Sequence, residues 1–451
     1  MFTSSMTDNN FLASSYIGTG KKYRDTPEFV HAAFDELSTP PSIFDSLYLP
    51  NARLSVLALV AYSLPNETPV HPLPDPLSYF SKEEPHAINH ATTTLLQTLP
   101  IPPAPVLEKI IRLAGQAWLD GYKSVVYSHT GHDRRCPFWI IRLWMRIAEI
   151  LPARQAWTAA DQNLSVLQKK SSDHIRQAAD NFRALLHSLP WHGRIYGFSN
   201  SEAVHWLAAF TSKDWLTDIH ETFMLEELQR QIAAVPEFGT KQVVTNIWIS
   251  KKICDAYEHR NDNMYPPLHR TELAELGTDL ARGAKTRLGM MWFVNRNHWC
   301  SMDIIADTLK QHILYGDPMG DGAPNHIREA VVWWLSKHVE GSFEWSTLLC
   351  PSQRDGFSCG LLAQNGLAHS FLPTKYPLID AASAQNVAIA RLKAGADVIQ
   401  HHIQMVCYDL CHLSNYLPLC TSYSCRQFLL IRSLGNLQRQ LLPLLHGTHL
   451  I

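Results

Sequence analysis

Apolar positions along the chain change their period near residue 190. Before it, helical spacing dominates: Leu107, Ile110, Ile111, Ala114 and Trp118 recur three and four apart, behind a Pro105 that a first helical turn tolerates. The stretches FWIIRLWMRIAEIL (138–151), PARQAWTAADQNLSVLQKK (152–170) and SDHIRQAADNFRALLHSL (172–189) extend that reading, with Pro152 and Ser172 as start signals. Proline-rich segments at 65–76 and 99–105 favour extended connectors. The apolar run LSVLALVAYSL (54–64) is about half the length needed to span a bilayer and stops at Pro65, which predicts a buried helix or strand. Residues 1–190 are therefore expected to form an all-α region, and nothing in them suggests chemistry.

Beyond residue 190 the apolar runs shorten to strand length. VVTNIWI (243–249), LGMMWFV (288–294), WCSMDIIA (299–306) and QHILY (311–315) each predict a strand. Helical blocks flank them, DWLTDIHETFMLEELQRQI before, CGLLAQNGLAHSF and ASAQNVAIARLKAGADVIQHH after. That order predicts an α+β domain over 191–405. A tail, 406–451, is amphipathic but interrupted by Arg432, Gly435, Arg439 and Pro443, which predicts a partly helical, docked or frayed segment rather than an anchor.

Composition narrows the setting. A chain of 451 residues with 46% hydrophobic positions suggests two or three domains. A formal net charge of -2 without long runs of one sign gives no indication of nucleic acid or of a membrane surface. Nine cysteines form no even framework, and Asp8 interrupts the first residues where an export signal would be apolar, so a reducing compartment, nucleus or cytoplasm, is expected. Cys407, Cys411, His412, Cys420 and Cys425 match no structural zinc spacing, and no metal is expected there.

Four polar residues in the α+β domain stand in suggestive places. Taken singly, a cysteine is usually a small buried hydrophobe and a histidine a hydrogen-bonded structural residue. His298 falls in a polar break between two strand-like runs, and Asp317 falls just past the next strand, before Pro318. Adjacent strand ends can bring the two together, so that the carboxylate fixes the tautomer of the imidazole and stabilises its charged form. Cys359 follows a turn-like Asp355-Gly356 and opens a helical run, where the positive end of the dipole favours a thiolate. Gln353, six positions upstream, carries an amide able to donate to an oxyanion.

The order His298-Trp299, Asp317, Gln353-x5-Cys359-Gly360, with Trp215-Leu216-Thr217-Asp218 opening a helix upstream, resembles the Ulp/SENP group of ubiquitin-like (SUMO) proteases over roughly residues 195 to 405. The overall layout is similar to divergent copies of that protease in fungal mobile-element proteins. The resemblance implies a cysteine-protease domain with a central mixed sheet flanked by helices. It also implies a tunnel walled by Trp215 and Trp299 that admits a Gly-Gly tail, and substrate contacts from Asp218 and from Ser358, which precedes the nucleophile. Three departures from the pattern lie close to the site. Gly316 separates the strand-ending tyrosine from Asp317, Pro318 follows Asp317 where the family commonly has serine, and Ser358 stands where the family commonly has aspartate.

The resulting expectation is a thiol peptidase or isopeptidase acting after the Gly-Gly tail of SUMO or another ubiquitin-like modifier, with no cofactor required. Its partners would be that modifier and its conjugates; the sequence does not indicate an oligomeric state. Two other readings stay open: an inactive module that still binds such a modifier, and an acetyl-CoA-dependent acyltransferase of related fold.

Overall fold

A computed structural model describes all residues except 1–11, 42–48, 68–74, 87–99, 130–131, 171, 263–264, 266–270, 308–309 and 414–451. It divides into two compact units, Met1–Thr158 and Ala159–Ile451. The division falls inside a helix, 32 residues before the boundary expected from the change of period, so the helix that follows residue 171 belongs with the second unit.

The first unit is mainly helical, with α1 (Glu28–Leu37), α2 (Val56–Ala61), α3 (Ala104–Leu119) and the first part of α4 (Trp139–Gln168). The all-α expectation omits a three-stranded antiparallel sheet: β1 (Phe80–Ser81), β2 (Ser124–His129) and β3 (His132–Cys136), in that order. The two-residue β1 and the charged HDRRC of β3 give no periodic signal to read. On α3, Leu107, Ile110 and Ala114 are buried as their spacing requires, whereas Ile111 lies at the edge of the apolar face, half exposed. Pro152 does not start a helix; α4 continues through it.

The second unit contains α5 (Asp173–Ser188), α6 (Asp218–Ala233), α7 (Trp248–Glu258), α8 (Glu272–Ala281), α9 (Asn325–Ser336), α10 (Cys359–Phe371) and α11 (Ala384–Leu413). Its sheet has the order β4 (Gln242–Val244), β5 (Arg287–Val294), β6 (His298–Asp307), β7 (Lys310–Gly316), β8 (Glu344–Thr347). β5, β6 and β7 pair antiparallel, and the two edge strands pair parallel, so the sheet is mixed. This is the expected α+β domain.

One expected strand is mostly something else. Of VVTNIWI only the start is extended, because the Asn246 side chain accepts the Trp248 N–H at 2.9 Å and so closes the turn into α7. The sheet is covered on both faces. On one, Met290, Trp292, Cys300, Met302 and Tyr315 pack with α7, α8 and α9; on the other, Met291 and Trp299 pack with α6 and α10. Alternation along β5 and β6 thus feeds two cores, which explains why β6 is buried almost throughout and reads as a continuous apolar run. Among the described residues no helix is long and apolar enough to cross a membrane.

Candidate active site

The strand half of the site is built by a hairpin. Asn295 and Arg296 both adopt positive φ, 52° and 60°, and Asn297 N–H donates to the Val294 carbonyl at 3.2 Å, which is the geometry a tight β5–β6 turn needs. Val294 pairs with His298 directly after this turn, so the histidine is the first residue of β6. β7 ends at Gly316, opposite Ser301. A Cβ at 316 would collide with the Cys350 sulfur, so the inserted glycine permits the close approach of the loop that follows β8.

Asp317 comes next, and its Oδ1 lies 2.7 Å from His298 Nε2 while also accepting the Met319 N–H at 2.7 Å. Both side chains are almost wholly buried. The bond to Asp317 is the largest cause that raises the His298 pKa, pushed up to about 12, with the neighbouring Cys300 and Cys359 thiols adding to it against burial. Burial opposes ionisation of Asp317, yet the His298 and Met319 bonds outweigh it and hold the carboxyl below its usual range.

The turn half is organised around Asp355. Its Oδ1 accepts from Phe357 N–H at 3.0 Å, Ser358 N–H at 2.9 Å and Ser358 Oγ at 2.7 Å. This arrangement fixes the residue before α10 and delivers Cys359 as the first residue of a 13-residue helix. Gln353 is tied into the same turn: its N–H donates to Pro318 O at 2.7 Å and its Nε2 to Asp355 O at 2.7 Å. The first of these bonds links the turn to the residue after Asp317.

The structure therefore brings His298, Asp317 and Cys359 together, with Gln353 in the adjoining turn and its side-chain amide donating to Asp355. Trp299 is buried in the cluster that contains Cys359 and lies 4.8 Å from the Phe293 ring. Trp215 is about half exposed, and its indole N–H donates to the Gly356 carbonyl in the turn before Cys359. Ser358 is buried against Asp355, and Asp218 is exposed in the first turn of α6.

Two features escaped the sequence reading. Glu221 on α6 is fully buried, neither carboxyl oxygen meets a hydrogen-bonding partner among the described residues, and it packs where a Cβ on Gly360 would stand. Burial first, and the neighbouring Cys359 next, push its pKa well above the ordinary value of 4.5, which favours the uncharged acid behind Cys359. Arg391 on α11 is also buried; its Nη2 donates to Ala209 O at 2.9 Å and to Asp214 O, bracing the segment that carries Trp215. A carboxyl three residues into an amphipathic helix and an arginine in another carry no local signal of either role.

No family model and no curated protein matches the chain. Solved structures do overlay on part of it. The SUMO protease Ulp1 with its catalytic cysteine oxidised to a sulfonic acid is 14% identical and covers 52% of this chain and 97% of its own, with a TM-score of 0.34. The Ulp1-like SUMO protease catalytic domain of Chaetomium thermophilum is 14% identical over 51% of this chain and 90% of its own, TM-score 0.34. The Xanthomonas campestris effector XopD bound to ubiquitin is 14% identical over 40% and 91%, TM-score 0.28. What the site can do is decided by its own geometry.

Proposed function

We propose that the chain is a cysteine peptidase or isopeptidase that cleaves after the Gly-Gly tail of a ubiquitin-like modifier, SUMO foremost. One observation carries the chemistry: a single imidazole is hydrogen-bonded to a buried carboxylate and lies beside a cysteine that opens a helix. With Nε2 held by Asp317, the other ring nitrogen is left for Cys359. Cys359 attacks the carbonyl as thiolate, and the C–N bond breaks as His298 gives its proton to the leaving amine. A thioester remains, and water activated by the same imidazole releases the acid. The N–H of Cys359 and the Gln353 side-chain amide, which rests on Asp355 in the free protein, are the donors for the oxyanion. The reading of substrate class rests on the Trp215-Leu216-Thr217-Asp218 and His298-Trp299 segments and their resemblance to the Ulp/SENP group.

The test is a panel of ubiquitin-like modifiers, each ending in a thiol-reactive group in place of the scissile carbonyl. The expected result is one adduct, at Cys359, with a SUMO-type probe. Binding of a modifier without an adduct would favour the inactive module, and acetylation of Cys359 by acetyl-CoA would overturn the peptidase reading.

A further inference from the structure

The sequence His298-Trp299-Cys300 puts two metal-ligating side chains on one face of β6, because successive side chains of a strand alternate and positions two apart agree. The register that pairs Ser301 with Gly316, continued by one step, sets Cys300 directly opposite Asp317. The side chains follow this backbone logic: a ring nitrogen of His298, the Cys300 sulfur and a carboxylate oxygen of Asp317 all lie within 4.8 Å of one another. Cys300 is fully buried, and the proposed peptide chemistry has no use for it.

We propose that His298, Cys300 and Asp317 form a three-ligand site for a divalent transition metal, zinc foremost, and that occupancy of this site switches the cysteine chemistry off. One thiolate, one imidazole and one carboxylate are the donor types that zinc takes, and three protein ligands leave a fourth position open. Ligand atoms around tetrahedral zinc stand roughly 3 to 4 Å apart, given metal–ligand bonds of about 2.0 to 2.3 Å. The 2.7 Å His298–Asp317 hydrogen bond therefore has to open slightly, and the 4.8 Å limit has to close slightly. The Met319 N–H bond to Asp317 supplies outer support. A cleft of about 400 Å³ lined in part by Tyr315, Asp317 and Cys350 reaches one of the three ligands, Asp317.

Binding exchanges protons for metal. The Cys300 thiol proton and the proton held between His298 and Asp317 leave to water, and three metal–ligand bonds form. An imidazole that gives one nitrogen to the metal keeps a proton on the other only as a neutral ring. It can then neither accept the Cys359 proton nor become the acid that the leaving amine needs. Inhibition follows without the metal touching Cys359, and a chelator reverses it.

The ordinary alternative is a metal bridging Cys359 and His298, as any thiol–imidazole pair allows. Titration of the full chain with Co²⁺, read as the thiolate-to-cobalt charge-transfer band and tetrahedral visible bands, separates the two and needs no peptidase activity. In Cys359→Ala the bands should persist at one equivalent, and in Cys359→Ala with Cys300→Ser they should vanish while circular dichroism stays unchanged. If the Cys300 variants fail to fold, His298→Ala in the Cys359→Ala background removes a different ligand and should also abolish the bands. Loss of the bands in Cys359→Ala alone, or their survival without His298, would overturn the site. Zinc should also protect Cys359 from iodoacetamide in the wild type, with at least about tenfold less protection in Cys300→Ser.

Discussion

The two halves of the candidate site are built in different ways. His298 and Asp317 sit at strand ends, and their meeting follows from a hairpin turn and an antiparallel register shared with a whole sheet. Cys359 and Gln353 sit in a turn whose shape depends on one carboxylate, Asp355, and on few hydrogen bonds. The proposed acid–base pair is thus prebuilt by the core, whereas the proposed nucleophile and oxyanion side is held locally. Substitutions in the strand half should show in proton chemistry, and those in the turn half should show in stability and positioning.

The largest effects come from removing the reacting groups themselves. Cys359→Ala and His298→Ala should each lower modifier cleavage by at least about a thousandfold, since residues that act as one unit fail together. Probe labelling should vanish in the first with the fold intact. A Cys359→Ala protein that labels like the wild type would remove the turn half from the mechanism.

Next comes the wall between the halves. Trp299 follows the strand residue His298 and packs in the cluster of the turn residue Cys359. Trp299→Ala should cost on the order of 2 to 4 kcal/mol in transition-state stabilisation, a loss of about a hundredfold, if it behaves as a buried aromatic anchor for the tail. Iodoacetamide reactivity at Cys359 should fall far less, because a small reagent needs no alignment. Equal losses in both assays would make Trp299 a packing residue only.

Asp317→Asn tests the strand half by pH. An amide keeps the shape but loses the charge, so the His298 titration, followed by imidazole NMR, should fall from about 12 toward its ordinary value of 6.5. Cleavage should drop on the order of tenfold to a hundredfold, less than for the reacting groups. The raised His298 pKa stabilises the fold fully below about 6.5, and this is lost progressively as pH rises toward about 12. The depressed Asp317 pKa stabilises it above the ordinary carboxylate range, and this is lost as pH falls through the folded value. The Tm difference between wild type and Asp317→Asn should therefore peak near pH 5 to 6 and shrink on both sides. A difference independent of pH would mean the pair is not ionised as described.

Much of the strand half was legible, because β5, β6 and β7 are marked by apolar runs that end within about one residue of the observed bounds. The turn half was legible only as a cysteine opening a helix. That Asp355 organises the turn, that Gln353 donates to it, and that Ser358 faces inward depend on side-chain directions in a loop, which periodicity does not encode. Cys300 was read as one more apolar strand residue; the register needed to set it against Asp317 appears only once the hairpin has folded. Glu221 and Arg391 were invisible for the same reason, since their burial is decided by helices distant in sequence.

Ser358 gives the smallest effect and the sharpest contrast between the halves. By resemblance its side chain belongs to the substrate site, yet its hydroxyl is buried and donates to Asp355 Oδ1 at 2.7 Å. Ser358→Ala removes one of the donors on that oxygen and leaves the Phe357 and Ser358 N–H groups in place. The expected cost is about 1 kcal/mol in stability, the usual size for one hydrogen bond, with kcat/KM unchanged within about threefold. Ser358→Asp should do more damage, although aspartate is common there in the resembled family. It sets a second carboxylate against Asp355, and the pair either repel or bind a proton, so the turn loosens and Tm falls further, most at neutral and alkaline pH where both are charged. If Ser358→Ala instead raised KM about tenfold with no change in Tm, the hydroxyl would be a substrate contact, and the turn half would be shaped by its ligand rather than by Asp355.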